Sequence, residues 1–381
     1  MPKTKILIVA SLDMSLLNFR GDLIKELIRN NYDVVCAAPD FQTSNIEELK
    51  RIGAQSVEFN LQRTGLNPLK DLKSINELKN IIIKYNIDLV FPYTIKPVIY
   101  GSMAAHRAGV PIISLITGLG FTFSAITLKA RVLQTLTQLL YKHALKKNSV
   151  VIFQNQDDKK LFLDKKIVSQ RKRTEVVDGS GINLEWFAFN RKKHTNNSVI
   201  NFVIVGRLMK EKGVELFINS AKQLRAKYPN SKFHLIGSPP PNNGPGISID
   251  GLKLLHDKGV VVFHGKTDNV AQLLSKMDVF VLPSYYREGV PRSILEGLSS
   301  GMPIITTNTP GCKETVLNGV NGFLIEPQQE KPLTKAMEYF LNNPEKIETM
   351  GLQSRQLAES KFDVNIINSK ILQIIKDILK K

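Results

Sequence analysis

Apolar residues recur along the chain in two alternating rhythms. Short continuous runs at Lys5–Ala10, Tyr32–Ala38, Ser56–Phe59, Leu89–Pro92 and Ile112–Leu115 predict buried strands. Between them, apolar residues at helical spacing predict helices at about Phe19–Asn30, after a loop over Ser11–Asn18, and at Ser44–Ile52, Pro68–Lys84 and Val98–Ala108. Strands alternating with helices imply parallel βαβ units, not an antiparallel sheet. The rhythm restarts after a polar, basic linker at Asn190–Ser198. It then runs through strand Val199–Val205, helix Val214–Lys227, strand Lys232–Ile236, helix Ile249–Lys258, strand Val260–His264 and strand Val279–Leu282. The expected architecture is α/β, with doubly wound domains over residues 1–189 and 199–361. In the last segment, Ile367, Ile371, Ile374, Ile375 and Ile378 form one helical stripe, so residues 362–381 read as a closing helix.

Composition refines this picture in three ways. A chain of 381 residues with 43% hydrophobic content can fill two cores. The formal net charge is +18 and is shared by both halves, but no acidic residue occurs between Asp88 and Asp157, a segment that includes Lys96, Arg107, Lys129, Arg131, Lys142, Lys146 and Lys147. That segment carries a positive field. Cys36 and Cys312 fall in separate expected domains without metal-ligand spacing, which suits a reducing compartment. The apolar start is too short for a signal peptide, and no run is long enough to span a bilayer, so a cytoplasmic protein is expected.

Candidate chemistry concentrates between Asp278 and Ile305. After strand Val279–Leu282 comes a loop ending in Glu288-Gly289-Val290-Pro291, then a short helix carrying Glu296 and stopping at Gly301. Pro291 suits the first helical position, because its missing N–H would lack a helical partner there, and Gly301 tolerates the left-handed dihedrals of a helix end. A helix N-terminus at the carboxyl end of a parallel strand attracts anions. A second cluster, Gly206-Arg207 followed by Lys210, Glu211, Lys212 and Gly213, ends strand Val199–Val205 and precedes a helix. A guanidinium and an ammonium at that position suit a diphosphate.

Glu288 and Glu296, separated by seven residues that include Gly289, Pro291 and Gly297, resemble the E-x7-E signature of retaining GT-B glycosyltransferases of family GT4. Arg207 and Lys212 resemble that family's G-R-x-x-x-x-K-G motif. The resemblance is strongest from Gly206 to Gly322 and covers nearly the whole chain. It implies two Rossmann-like doubly wound domains facing a central cleft, with the final helix returning to the N-terminal domain. It further implies that Arg207 and Lys212 grip the donor pyrophosphate, Glu288 binds hydroxyls of the donor sugar and Glu296 binds the ribose. Gly289, Val290, Pro291, Arg292 and Ser293 complete the donor loop. Lys266, in Gly265-Lys266-Thr267-Asp268, matches the nucleobase loop. The chain contains no D-x-D, so a metal-independent reaction without a cofactor is expected, with the positive pair neutralising the leaving nucleotide. A retaining transfer can alternatively use a carboxylate nucleophile, for which Glu288 is the candidate.

Among GT4 enzymes the chain looks most like bacterial members that extend polyprenyl-diphosphate-linked sugars. The implied donor is a UDP-sugar, with N-acetylgalactosamine as first choice, and the implied product is α-linked. In the N-terminal domain, Thr117-Gly118 stands where many relatives have His-Gly, which leaves a histidine-assisted mechanism without its residue. Asp13, Asn18, Arg20 and Arg131 are candidate acceptor contacts. Lys96, in a stretch similar to the family's H-T-P-K-P, is a candidate phosphate contact or a solvated lysine at a helix start. Leu128–Lys147 sets Leu128, Val132, Leu136, Leu139, Leu140 and Leu145 against basic residues. It reads either as a surface for the inner, anionic face of the cell membrane or as a core-packing helix with a charged exterior. Nucleic-acid binding is not expected, since aromatic residues are not interleaved with the charge. Two rivals remain: a GT-B sugar-nucleotide epimerase, and a non-catalytic sugar-nucleotide-binding protein.

Overall fold

A computed structural model of the chain describes residues 3–62, 65, 67–120, 128–189, 193–195, 198–240 and 247–380, with the side chains of 128–130 also left aside. The chain forms two units, Met1–Ser180 with Ile366–Lys381, and Gly181–Asn365.

The first unit opens with β1 (Lys5–Val9), α1 (Asp13–Arg29), β2 (Asp33–Ala38), α2 (Thr43–Arg51), β3 (Gln55–Glu58), α3 (Pro68–Lys84) and β4 (Leu89–Pro92). It continues through α4 (Ile95–Ala108), β5 (Ile113–Ile116), α5 (Leu128–Leu145), β6 (Val150–Phe153), α6 (Gln156–Asp164) and β7 (Thr174–Val176). Strand order is β3-β2-β1-β4, then β5-β6-β7, and parallel bridges Val90–Ile112 and Tyr93–Leu115 join the two sets. Apolar side chains alternate between the two faces of these strands. Leu78 of α3, Val98 of α4 and Ala144 of α5 cover one face. Leu23 and Leu27 of α1, with Ile367, Ile371 and Ile375 of the C-terminal helix (Val364–Leu379), cover the other. Each isoleucine so buried contributes about 1.5–3 kcal/mol.

Two helices start three or more residues before the sequence expectation. Helix α1 begins at Asp13, not near Phe19. No glycine or proline interrupts Asp13–Asn18, Leu16 continues the buried stripe of Leu23 and Leu27, and Asp13 suits the positive helix start. Helix α4 begins at Ile95 with Pro97 inside its first turn, where a missing N–H breaks no helical bond.

The second unit contains β8 (Ile200–Val205), α7 (Val214–Lys227), β9 (Ser231–Ile236), α8 (Ile249–Asp257), β10 (Val262–Gly265), α9 (Val270–Leu274) and β11 (Val279–Leu282). It closes with α10 (Arg292–Ser299), β12 (Ile304–Thr307), β13 (Gly322–Ile325), α11 (Glu330–Asn342) and α12 (Glu345–Leu357). Its parallel sheet has the order β10-β9-β8-β11-β12-β13, so the winding reverses between β8 and β11. At such a reversal the flanking loops part, and open α/β sheets bind ligands at the strands' carboxyl ends there.

The units meet in sequence at Ser180/Gly181 and Asn365/Ile366, earlier than the expected boundary at 189 and later than the one at 361. Burial explains the difference. Ile182 and Phe187 sit in the second unit's core, and Arg355 Nη1 donates to the carbonyls of Leu184 and Phe187 at 3.1 and 3.3 Å. The change from one unit to the other therefore precedes the polar linker in sequence.

Candidate functional site

The site of the second unit grows from the ends of β8 and β11. Strand β8 passes into Gly206, and a Cβ on the neighbouring Gly237, held at φ +129°, would lie 1.8 Å from the Gly206 carbonyl oxygen. Arg207 follows, exposed, with its guanidinium 5.8 Å from the Tyr286 ring centroid. Lys210–Lys212 makes one 3-10 turn, and Gly213, at φ +75°, starts α7. That glycine is required, since a Cβ there would meet the Pro283 carbonyl oxygen at 2.3 Å.

The loop after β11 folds onto this turn. The N–H groups of Tyr285 and Tyr286 donate to the Glu211 carbonyl at 2.9 and 3.1 Å. Lys212 Nζ donates to both oxygens of Glu288 at 2.6 Å, joining residues 76 apart in sequence. Their side chains are only 10% and 13% exposed, so the pair is largely desolvated and each charge depends on the other. Ser284, fully buried, donates from Oγ to Glu288 Oε1 at 3.0 Å.

Glu296 lies in the second turn of α10 with its side chain 15% exposed and the Arg292 Nε 3.4 Å away. Burial pushes its carboxyl up to about 7 despite the neighbouring guanidinium. Pro291 is the residue before the helix, with ψ 116°, and not its first helical residue as expected. The extended ψ aims the loop into the helix start at Arg292 and Ser293. Gly289, Val290 and Pro291 are buried beneath the loop. Gly297 has a packing role: a Cβ there would approach the Phe280 ring to 2.8 Å, so α10 lies hard against β11. Lys266 is exposed just past β10, two strands from β8 in sheet order.

Sequence reasoning did not pick out the connection after β12. Thr307 Oγ1 donates to the Ser284 carbonyl and lies 2.9 Å from Thr309 Oγ1. Gly311, at φ +86°, lets its backbone touch the Glu288-Gly289 segment, where a Cβ would fall 1.4 Å from the Gly289 oxygen. The available signal was the Thr-rich run ending in Pro310-Gly311, which reads as plain punctuation without the fold.

In the first unit the expected acceptor residues are placed differently. Asp13 is buried, its Oδ2 accepting from Gln42 N at 2.9 Å and Asn45 Nδ2 at 2.7 Å, and its Oδ1 from Met14 N at 2.6 Å. Burial alone would raise its carboxyl, but these hydrogen bonds outweigh it and hold the group below the usual value. Arg20 is 2% exposed, with its guanidinium 5.2 Å from the Tyr93 ring centroid. Lys96 is half-buried, and its Nζ donates to the Gln62 carbonyl at 2.6 Å and to Asp71 Oδ1 at 3.3 Å. The polar groups of Asp13 and Lys96 thus bond other segments of the same unit, and Arg20 is buried beside Tyr93. Asn18 and Arg131 are exposed.

Thr117 and Gly118 follow β5, half-buried, and Gly118 and Gly120 take positive φ of 112° and 57°. Phe121, the last residue of that expected loop, lies outside the described residues. On α5, Tyr141, Ala144 and Leu145 enter the core, while Val132 and Leu139 are 65% and 59% exposed. Core packing thus accounts for the helix's C-terminal end, with Leu140 packed against it, and leaves Val132, Leu133, Leu136 and Leu139 exposed. Among the described residues, no group of three His, Cys, Asp or Glu side chains is placed to hold a metal ion, and no helix is long and apolar enough to cross a membrane.

Comparison with known proteins agrees with this arrangement. Residues 187–357 match the family model described as glycosyl transferases group 1, and residues 5–155 match glycosyl transferase 4-like. The chain is 26% identical over 96% of both chains to the N,N'-diacetylbacillosaminyl-diphospho-undecaprenol alpha-1,3-N-acetylgalactosaminyltransferase of Campylobacter jejuni subsp. jejuni serotype O:2. It is 31% identical to the UDP-Gal:alpha-D-GlcNAc-diphosphoundecaprenol alpha-1,3-galactosyltransferase of Escherichia coli, over 69% of this chain and 68% of that one. In fold it is similar to the crystal structure of Anabaena HepE in complex with UDP, with a TM-score of 0.76 and 19% identity over 99% of this chain and 100% of the other. Two parallel α/β units, a charged cluster at a strand-order reversal and these matches together make the chain a glycosyltransferase with the GT-B fold, a member of the group 1 glycosyltransferases of family GT4.

Proposed function

We propose that the chain transfers a sugar from a UDP-sugar to a polyprenyl-diphosphate-linked sugar with retention of configuration, giving an α-linked product. N-Acetylgalactosamine is the first-choice donor sugar. The observation that carries this reading is the Lys212–Glu288 pair beside Arg207 at the β8/β11 reversal, where cations for a diphosphate adjoin a carboxylate for sugar hydroxyls. The names of the Campylobacter and Escherichia relatives support the lipid-diphosphate acceptor.

In this reading Arg207 and Lys212 stabilise the charge that develops on the departing diphosphate, which is the service a metal ion performs elsewhere, so the reaction proceeds without one. The bond from the sugar's anomeric carbon to the phosphate oxygen breaks, and an acceptor hydroxyl forms the new bond from the same face. Its proton passes to a leaving phosphate oxygen. Glu288 holds hydroxyls of the donor sugar, and Glu296 those of the ribose. The exposed apolar residues of α5, with Lys142, Lys146 and Lys147, meet the anionic inner membrane surface where such an acceptor resides.

The test is a panel of labelled UDP-sugars, with and without a short polyprenyl-diphosphate-linked sugar, followed by product extraction. Acceptor-dependent transfer that survives a chelator is the expected result. An altered or free sugar formed without acceptor, or binding of UDP with no turnover, overturns it in favour of an epimerase or a binding protein respectively.

A further inference from the structure

Glu288 is held unequally on its two oxygens. Oε1 accepts from both Lys212 Nζ and Ser284 Oγ, whereas Oε2 accepts from Lys212 Nζ. Ser284 has one hydroxyl proton, and its shorter contact is the 3.0 Å one to the carboxylate, against 3.3 Å to the Glu211 carbonyl. The same Oγ accepts from the Tyr286 N–H at 3.3 Å with one of its two lone pairs. Ser284 is itself anchored from the neighbouring strand. Thr307, the buried last residue of β12, donates from Oγ1 to the Ser284 carbonyl, and Thr309 Oγ1 stands 2.9 Å from Thr307 Oγ1. Gly311 then presses its backbone against Glu288 and Gly289. Hydroxyls at the end of β12 thus hold the Ser284 backbone, and the Ser284 hydroxyl reaches one oxygen of the carboxylate.

We infer that Ser284, anchored by Thr307, is a positioning residue that sets the rotation of the Glu288 carboxylate and keeps Oε2 turned toward the donor sugar. The inference rests on the reading of Glu288 as the donor-sugar contact. Its physical content is that Lys212 alone does not define that rotation. An ammonium on a flexible stem follows a carboxylate through several orientations and is also drawn to the diphosphate, whereas a buried hydroxyl between two tied strand ends cannot follow. The Ser284 hydroxyl acts on the sugar side through its bond to Glu288, so its loss is expected to affect the sugar more than the nucleotide.

Steady-state transfer, UDP binding by calorimetry and thermal unfolding, measured on Ser284→Ala, Thr307→Val, Thr307→Ser, Glu288→Gln and the double variant Ser284→Ala/Glu288→Gln, test this. Ser284→Ala is expected to lower kcat/KM for the UDP-sugar by about tenfold, the loss of one hydrogen bond to a charged group, with UDP affinity within about twofold of wild type. Thr307→Val, which leaves Ser284 in place, gives a smaller loss that Thr307→Ser restores. In the Glu288→Gln background, where the carboxylate that Ser284 orients is gone, Ser284→Ala costs clearly less than in wild type, since coupled residues are not additive. Wild-type kcat/KM in Ser284→Ala, an independent and multiplicative loss in the double variant, or a parallel fall in UDP affinity overturns the inference. Glu288→Gln distinguishes the two failures. If it is as active as wild type, the reading of Glu288 falls and the inference with it; if it is impaired while Ser284→Ala is not, only the positioning role falls.

Discussion

The two units share a winding pattern and use its reversal point differently. At the β8/β11 reversal, charged groups converge: Arg207 is exposed, and Lys212 meets Glu288 at 2.6 Å with Ser284 behind it. At the β1/β4 reversal the charges turn into the unit. Asp13 pins the chain before α2, Arg20 lies under Tyr93, and Lys96 bonds Gln62 and Asp71. Half-buried hydroxyls lie at that end, with Thr94 Oγ1 donating to Ser11 Oγ at 3.1 Å, while the hydroxyl pair of Ser15 and Tyr93, at 2.8 Å, is buried. Thr94 also takes a left-handed φ of 69°, uncommon for a threonine. The contrast teaches that one topology places a site without deciding its chemistry. The residue types at the strand ends decide that, along with whether other side chains in the unit claim them first.

The largest expected effect tests what the first unit keeps outside. Replacing Lys142, Lys146 and Lys147 together by glutamine should weaken flotation with anionic vesicles by up to roughly a hundredfold, at about 1 kcal/mol per well-placed lysine. Transfer to a water-soluble acceptor should be retained. Unchanged flotation would remove α5 from the docking surface.

Glu288→Gln should lower turnover about tenfold to a hundredfold with little change in thermal unfolding, the scale of one charge-assisted contact. Wild-type turnover would break the assignment of chemistry to the second unit's reversal point. Asp13→Asn should do the reverse, costing roughly 1–2 kcal/mol of stability and leaving UDP affinity unchanged. Because the native carboxyl of Asp13 is held below its ordinary value, its contribution is present above that value and fades as pH falls through the lowered one, so the variant and wild type should converge in acid.

The smallest effect concerns Glu296. With its carboxyl near 7, ionisation through neutral pH makes it a better acceptor for ribose hydroxyls, so UDP affinity should rise a few-fold, on the order of 0.5–1 kcal/mol, from pH 6 to 8. Glu296→Gln should flatten that dependence. A slope of equal size in the variant would assign the titration to another group.

Much of the chain was legible because local rules governed it. Pro68–Lys84 and Val214–Lys227 are helices with the expected bounds, since each starts at a distinct residue type, proline after a capping Asn67 in one case and a left-handed glycine in the other. The charged motifs at Arg207, Lys212 and Glu288 were legible as residue types after strands. Their mutual geometry was not, because Lys212 and Glu288 lie 76 residues apart and only adjacent strand ends bring them together. Gly311 illustrates the limit, being indistinguishable in sequence from the left-handed glycine of an ordinary turn.

By itself, the order of apolar and polar residues determined an α/β chain wound twice around parallel sheets, and it put candidate charges at strand ends. Those features depend on near neighbours along the chain, through periodicity, proline and glycine. Only the tertiary structure decided which charges were available. Asp13, Arg20 and Lys96 are as polar in sequence as Arg207 and Glu288, yet the fold buries Asp13 and Arg20 and ties Lys96 to Gln62 and Asp71, because a charge removed from water must be hydrogen-bonded or paired. The same rule gave Glu288 its ammonium and its hydroxyl, and it made the β12 connection part of the site.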